Sequence, residues 1–139
     1  MERPKDFDVV ERPKHYNSHA SGLEAIDLCE HLSFNMGNAT KYTWRAGMKN
    51  DEVEDLKKAL WYVRRERERL ALYAQEPPIH VLVSHDGSSE ESTRLTVRVL
   101  IRKIVAAEPN GVLGKVLGTS RLPDWEHIIE QEIAARQSA

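Results

Sequence analysis

Between Asp51 and Ala74 the apolar residues Val53, Leu56, Leu60, Val63, Leu70 and Ala74 return at alternating steps of three and four, interrupted by Arg67. That spacing lines them along one stripe of a helix. An isolated helix cannot keep such a stripe out of water, so other elements must cover it. Asp51, Glu52, Glu54 and Asp55 crowd the start, where the helix dipole favours negative charge, and Glu54 stands four residues before Lys58. Farther on, Arg64, Arg65, Arg67 and Arg69 alternate with Glu66 and Glu68. Interleaved acids make this run a solvated helix face or an oligomer seam rather than a nucleic-acid surface. Pro77 and Pro78 then end the helix, because neither ring can continue it.

Two shorter helices are expected before this one. Ser21-Gly-Leu-Glu24 has the capping-box spacing, followed by Leu23, Ile26, Cys29 and Leu32 at steps of three, which predicts a helix over about residues 22–33. Phe34 to Gly47 predicts a second helix, weakened early by Gly37 and closed by Gly47. Residues 1 to about 20 lack periodicity and read as an irregular arm. After Pro78, Ile79–Val83 suggests a short strand. Leu95, Val97, Val99 and Ile101 alternate as a strand would, whereas Val97, Leu100, Ile101, Ile104 and Val105 fit a helix. The helix is favoured by Ser88-x-x-Glu91 ahead of it and by Arg102, Lys103 and Pro109 behind. Asn110-Gly111 marks a turn, and Pro123-Asp124-Trp125 opens a last helix. The expected fold is therefore mainly α: a three-helix module with its irregular arm over residues 1–76, and a small α+β or helical appendage over residues 79–139.

Composition narrows the function. With 139 residues, 40% hydrophobic and 30% charged, the chain has enough apolar material for a core. Twenty basic against 22 acidic residues give a net charge of −2, so no duplex nucleic acid is expected as a partner. The single cysteine, Cys29, excludes an internal disulfide and an all-cysteine zinc site. No apolar run approaches the roughly 20 residues that span a bilayer, and no apolar segment follows the charged start as in a secretory signal. A cytoplasmic protein without a membrane partner is the expectation. The closest approach to a phosphate-binding P-loop, Gly111-Val-Leu-Gly-Lys115, has the wrong glycine spacing and no Ser or Thr after the lysine.

The chemistry-bearing residues gather between positions 13 and 62. Asn38, Lys41 and Arg45 share one face of the second predicted helix. An amide, an ammonium and a guanidinium on one face suit a polyanion, and Tyr42 or Trp44 could stack on a base. The competing reading pairs the two cations with neighbouring acids and puts the aromatics in the core; spacing alone leaves both open.

The blocks Pro13-Lys-His15-Tyr16, then Phe34-x-x-Gly-Asn-Ala-x-Lys-Tyr-x-x-Arg45, then Glu54-Asp-Leu-x-Lys-Ala-x-x-Tyr62 resemble the bacteriophage family called domain of unknown function 3310. The resemblance covers roughly residues 11–66. It implies a small phage nucleotide kinase without a P-loop, acting on deoxynucleoside monophosphates such as dTMP or dGMP. It further implies a homo-oligomer in the host bacterial cytoplasm, a phosphate donor such as a nucleoside triphosphate, and no strict need for a metal. The residues carried over are His15, Lys41, Arg45 and Asp55 as catalytic candidates. Tyr16, Asn38, Tyr42, Lys49 and Lys58 are the nucleotide-binding candidates. Lys41 and Arg45 would neutralise phosphate charge, while His15 or Asp55 would accept a proton or orient the acceptor phosphate. On this reading, replacing Lys41 and Arg45 with alanine is expected to abolish nucleotide binding without unfolding the protein.

Two other functions compete. Glu24-x-x-Asp27 and Glu52-x-x-Asp55 each project two carboxylates from one helix face, and together these four residues could hold Mg²⁺ as in all-helical nucleoside triphosphate pyrophosphatases. Alternatively the cationic face binds a nucleotide or cyclic-nucleotide signal and sequesters it from a host defence system without catalysis.

Overall fold

The computed structural model describes residues 19–46, 48, 51–72, 90–119 and 121–138. These form six helices: α1 (Ala25–Cys29), α2 (Phe34–Arg45), α3 (Glu52–Leu72), α4 (Glu90–Ala107), α5 (Val112–Leu117) and α6 (Leu122–Gln137). There is no strand among the described residues. The expected strand at 79–83, the Ser88 cap, the Gly47 stop and the arm with His15 and Tyr16 lie outside them.

α1 starts three residues later than its sequence suggests. Glu24 is the N-cap: its side chain accepts from the N3 backbone, and Asp27 Oδ2 accepts from the Glu24 N–H at 2.8 Å. The two acids complete the capping box between themselves. Ser21 Oγ instead accepts from the Leu23 N–H at 3.2 Å and lies 2.8 Å from His19 Nδ1. α2 opens on Ser33, whose Oγ accepts from the Met36 N–H at 3.3 Å. Gly37 lets α2 approach the end of α1, since a Cβ there would stand 3.3 Å from the Cys29 carbonyl oxygen. α3 is capped by Asp51, whose Oδ1 accepts from the Glu54 N–H at 2.8 Å.

The stripe on α3 buries Leu56, Leu60, Val63 and Leu70. Its apparent interruption is filled by Glu66, which is fully buried, while Arg67 points outward. Glu66 accepts from the Ser33 hydroxyl at 2.7 Å, from Asn35 Nδ2 at 3.3 Å and from Arg69 Nε at 2.5 Å. Thus the cap of α2 is fastened to the middle of α3. The arginine run is neutralised within the chain. Arg64 Nη2 lies 2.8 Å from Glu130 and Arg67 Nε 2.7 Å from Glu126, both acids being on α6, while Arg65 pairs with Glu68. Arg136 of α6 pairs with Glu52 and Glu132.

α4 resolves the ambiguity over 95–105 in favour of the helix. Val97 and Ile104 are buried and Leu100, Ile101 and Val105 pack beside them, whereas Leu95 and Val99 are exposed. The short α5 was not anticipated; it sits where the sequence shows only a glycine-containing turn. Gly114 is required there by close approach: a Cβ would overlap the Glu108 carbonyl oxygen and stand 3.1 Å from Pro109 Cα. Lys115 Nζ lies 2.6 Å from Glu132 Oε1. The P-loop-like glycines therefore serve helix packing and the lysine serves α5–α6 pairing. Gly114→Ala is expected to cost about 2 kcal/mol or more, because the obstructing atoms are backbone and cannot rotate away. Urea denaturation of the variant checks this.

Buried side chains from all six helices form one cluster, among them Leu28, Met36, Leu56, Val97, Val116, Trp125 and Ile129. α2 and α6 both pack along α3, and α1 and α5 join α4 to this group. His19 closes one edge. Its ring lies 5.2 Å from that of Trp44, and its Nε2 lies 2.9 Å from Glu108 Oε2. Because the Ser21 N–H donates to Nδ1 at 3.0 Å, the neutral ring carries its proton on Nε2. Burial, only partly opposed by Glu108, holds the His19 pKa below its ordinary value. No described helix is long and apolar enough to cross a membrane.

Candidate functional site

The antiparallel packing of α2 on α3 brings two half-turn patterns into register. Asn38, Lys41, Tyr42 and Arg45 come from α2; Asp55, Lys58 and Tyr62 come from the first half of α3. Tyr42 and Tyr62 stack with centroids 5.9 Å apart and planes 13° from parallel. Three cations converge on the Tyr42 ring: Lys41 Nζ at 4.7 Å from its centroid, Arg45 Cζ at 5.2 Å and Lys58 Nζ at 5.4 Å. Phe34 meets Tyr62 edge-on at 6.1 Å. A ring quadrupole attracts each cation. The cations repel one another, and an anion bound among them relieves that repulsion.

Their other partners differ. Arg45 Nε donates to Asp55 Oδ1 at 2.9 Å, and the Asp55 side chain is only 3% exposed. Asp55 Oδ2 is buried without a hydrogen-bond donor. Lys58 Nζ lies 3.2 Å from Glu54 at the surface, a pairing that water weakens. Among the described residues Lys41 has no carboxylate partner. Asn38 folds back, its Nδ2 donating to the Phe34 carbonyl at 2.9 Å. Beneath the face, burial pushes the Cys29 thiol up to about 12, against the opposing charge of Lys41. At neutral pH it is an unreactive thiol.

Of the residues expected from sequence, Asn38, Lys41, Tyr42, Arg45, Asp55 and Lys58 occur together on or beneath this face. His15, Tyr16 and Lys49 lie outside the described residues. Trp44 is buried beside His19 rather than available for stacking. The four carboxylates of the alternative Mg²⁺ site have other roles: Glu24 and Asp27 cap α1, Glu52 pairs with Arg136, and Asp55 with Arg45. No group of three or more His, Cys, Asp or Glu side chains is placed to hold a metal ion among the described residues. Tyr62 was missing from the expected binding residues although it closes the third sequence block. Its position four after Lys58, on the same helix face, was the available signal.

No curated protein and no solved structure matches the chain. Residues 10–64 match the model of a protein family of unknown function, DUF3310. That segment contains α1, α2, most of α3 and every residue of the cation–aromatic face. Over that segment the chain resembles the DUF3310 family.

Proposed function

We propose that the α2–α3 face binds a nucleoside phosphate and that the protein is a phage (deoxy)nucleoside monophosphate kinase lacking a P-loop. The observation that carries the binding half of this reading is the convergence of Lys41, Arg45 and Lys58 on Tyr42, itself stacked on Tyr62. Phosphate takes the cations, and the planar base takes the exposed ring edges. The kinase half rests on the likeness of the sequence blocks to small phage nucleotide kinases.

Phosphoryl transfer needs the reacting groups aligned and their charge neutralised, with little covalent work by the protein. Lys41 and Lys58 supply mobile positive charge. Arg45 adds a fixed positive charge, since Asp55 holds its Nε and with it the guanidinium plane. His15 from the arm, or Asp55, would orient the acceptor phosphate, with Tyr16 and Lys49 adding contacts from beyond the described residues. A nucleoside triphosphate would be the donor. A homo-oligomer belongs to the same proposal.

The test is a thermal-shift screen of nucleotides, with each hit incubated alone and with ATP and the products read by mass spectrometry. A new phosphoester supports the kinase. A tightly bound nucleotide recovered unchanged points to sequestration, and metal-dependent pyrophosphate release to a pyrophosphatase. Lys41→Ala with Lys58→Ala is expected to weaken nucleotide binding about 100-fold, roughly tenfold for each charge-assisted contact, without loss of stability. Isothermal titration of the folded double variant measures it; unchanged affinity removes this face as the site.

A further inference from the structure

The aromatic surface does not end at Tyr62. Trp61 is 60% exposed and meets Tyr62 edge-on, with centroids 5.0 Å apart. Consecutive helix positions project about 100° apart. Trp61 therefore carries the ring surface around α3, away from α2 and toward α6. There it borders a groove of about 430 Å³ between α3 and α6, with Lys57 and Arg64 on one wall and Ile133 and Gln137 on the other. The volume lies at the small end of the range for ligand pockets, enough for one nucleobase with its sugar. Glu130 engages Arg64 at 2.8 Å, whereas Lys57 is exposed at the rim. Lys57 and Lys58 are neighbours in sequence, so they stand between the groove and the Tyr42–Tyr62 stack.

We propose that this groove is a second base subsite and that the whole surface takes a dinucleotide. One base occupies the Tyr42–Tyr62 face, the other stacks on Trp61, and the linking phosphate lies at Lys57 and Lys58. The inference rests on the nucleotide-binding reading of the α2–α3 face, but not on catalysis. Charge complementarity supports it: the linking phosphate is anionic, and Lys57 stands exposed at the rim of the groove beside Lys58. Aromatic platforms interleaved with cations are how sequence-tolerant sites hold unpaired bases. The groove also gives α6 a role in binding, although α6 lies outside the family match.

The full-length protein and its Trp61→Ala variant are titrated with dTMP and with 5′-phosphorylated thymidine dinucleotide by calorimetry. Tryptophan emission supplies a local signal, since Trp44 and Trp125 are buried. The wild type is expected to bind the dinucleotide about tenfold more tightly than dTMP, a gain within the range for stacking one base on an aromatic ring. Its emission is quenched by the dinucleotide. Trp61→Ala abolishes the advantage while leaving dTMP affinity unchanged, and Lys57→Ala reduces it. Equal affinities in the wild type, or an advantage that survives Trp61→Ala, overturn the second subsite while leaving the mononucleotide face intact. If neither ligand binds the wild type, both readings fall. Sedimentation completes the test: a shift to monomer in Trp61→Ala, with dinucleotide affinity unchanged, assigns the groove to a second copy of the chain and overturns the proposal.

Discussion

Arg45→Ala lowers stability by about 3–5 kcal/mol, the usual result of stripping a buried ion of its partner. The carboxylate of Asp55 is almost wholly enclosed, with Oδ1 held by Arg45 and Oδ2 already without a donor. Removing the guanidinium therefore leaves a charge that neither water nor a neighbour can satisfy. Arg45 has a structural partner in Asp55, so its alanine variant confounds lost affinity with lost structure. Two companions separate the effects. Adding Asp55→Ala to Arg45→Ala should recover much of the loss, because the stranded charge is gone. Arg45→Lys should remain folded with a smaller penalty, yet bind phosphate less well, since an ammonium cannot grip Asp55 and still present a planar fork. Urea denaturation of the wild type, the two single alanine variants Arg45→Ala and Asp55→Ala and their double variant closes the cycle, with Arg45→Lys measured beside it. A loss of less than 1 kcal/mol in Arg45→Ala would show that the pair contributes no more than an exposed one.

How far the sequence could be read follows from the range of each interaction. The stripe on α3 was legible because helix periodicity is local, and so was the shared face of Asn38, Lys41 and Arg45. The pairing of Arg45 with Asp55 joins residues ten apart across an inter-helix turn, so spacing left it undecided against a ligand. Convergence on Tyr42 needs Lys58 from α3 as well, and only tertiary packing supplies it. From sequence Glu66 reads as a surface acid interleaved among arginines, because charge type predicts exposure almost everywhere. Its burial depends on Ser33 and Asn35, more than thirty residues earlier. α5 escaped notice for a different reason. Six residues containing a glycine carry too little periodicity to register, and Gly114 is needed for a contact with the end of α4 that no local rule encodes. The carboxylates of the candidate metal pairs are engaged elsewhere: Glu24 and Asp27 cap α1, while Glu52 and Asp55 pair with Arg136 and Arg45.

Glu66 also sets the acid limit of the fold. Burial disfavours its charge, but hydrogen bonds from Arg69, Ser33 and Asn35 outweigh burial and hold its carboxyl below the ordinary glutamate value. Glu132 is depressed in the same way, with Lys115 and Arg136 overcoming its burial. A folded-state pKa below the unfolded one means the stabilisation is complete above the unfolded value, about 4.5, and is lost as pH falls through the folded one. His19 acts in an earlier window. Its lowered pKa makes the unfolded chain take up the proton more readily, so stability begins to decline as pH drops below about 6.5. Glu66→Ala is expected to cost about 3 kcal/mol at pH 7, combining a cavity in the α3 stripe with the loss of the α2 cap's anchor. Glu66→Gln keeps the volume and an acceptor for Ser33, so its cost should be smaller, and its stability should fall less steeply between pH 4.5 and 3. Chemical denaturation across that range measures both slopes. If the glutamine variant and the wild type lose stability in parallel there, Glu66 is not the group whose protonation loosens α2 from α3. The distinction reaches the site itself, because Ser33 starts the helix that carries Lys41, Tyr42 and Arg45. A protein whose α2 cap has let go in acid should lose nucleotide affinity over the same pH interval in which it loses stability.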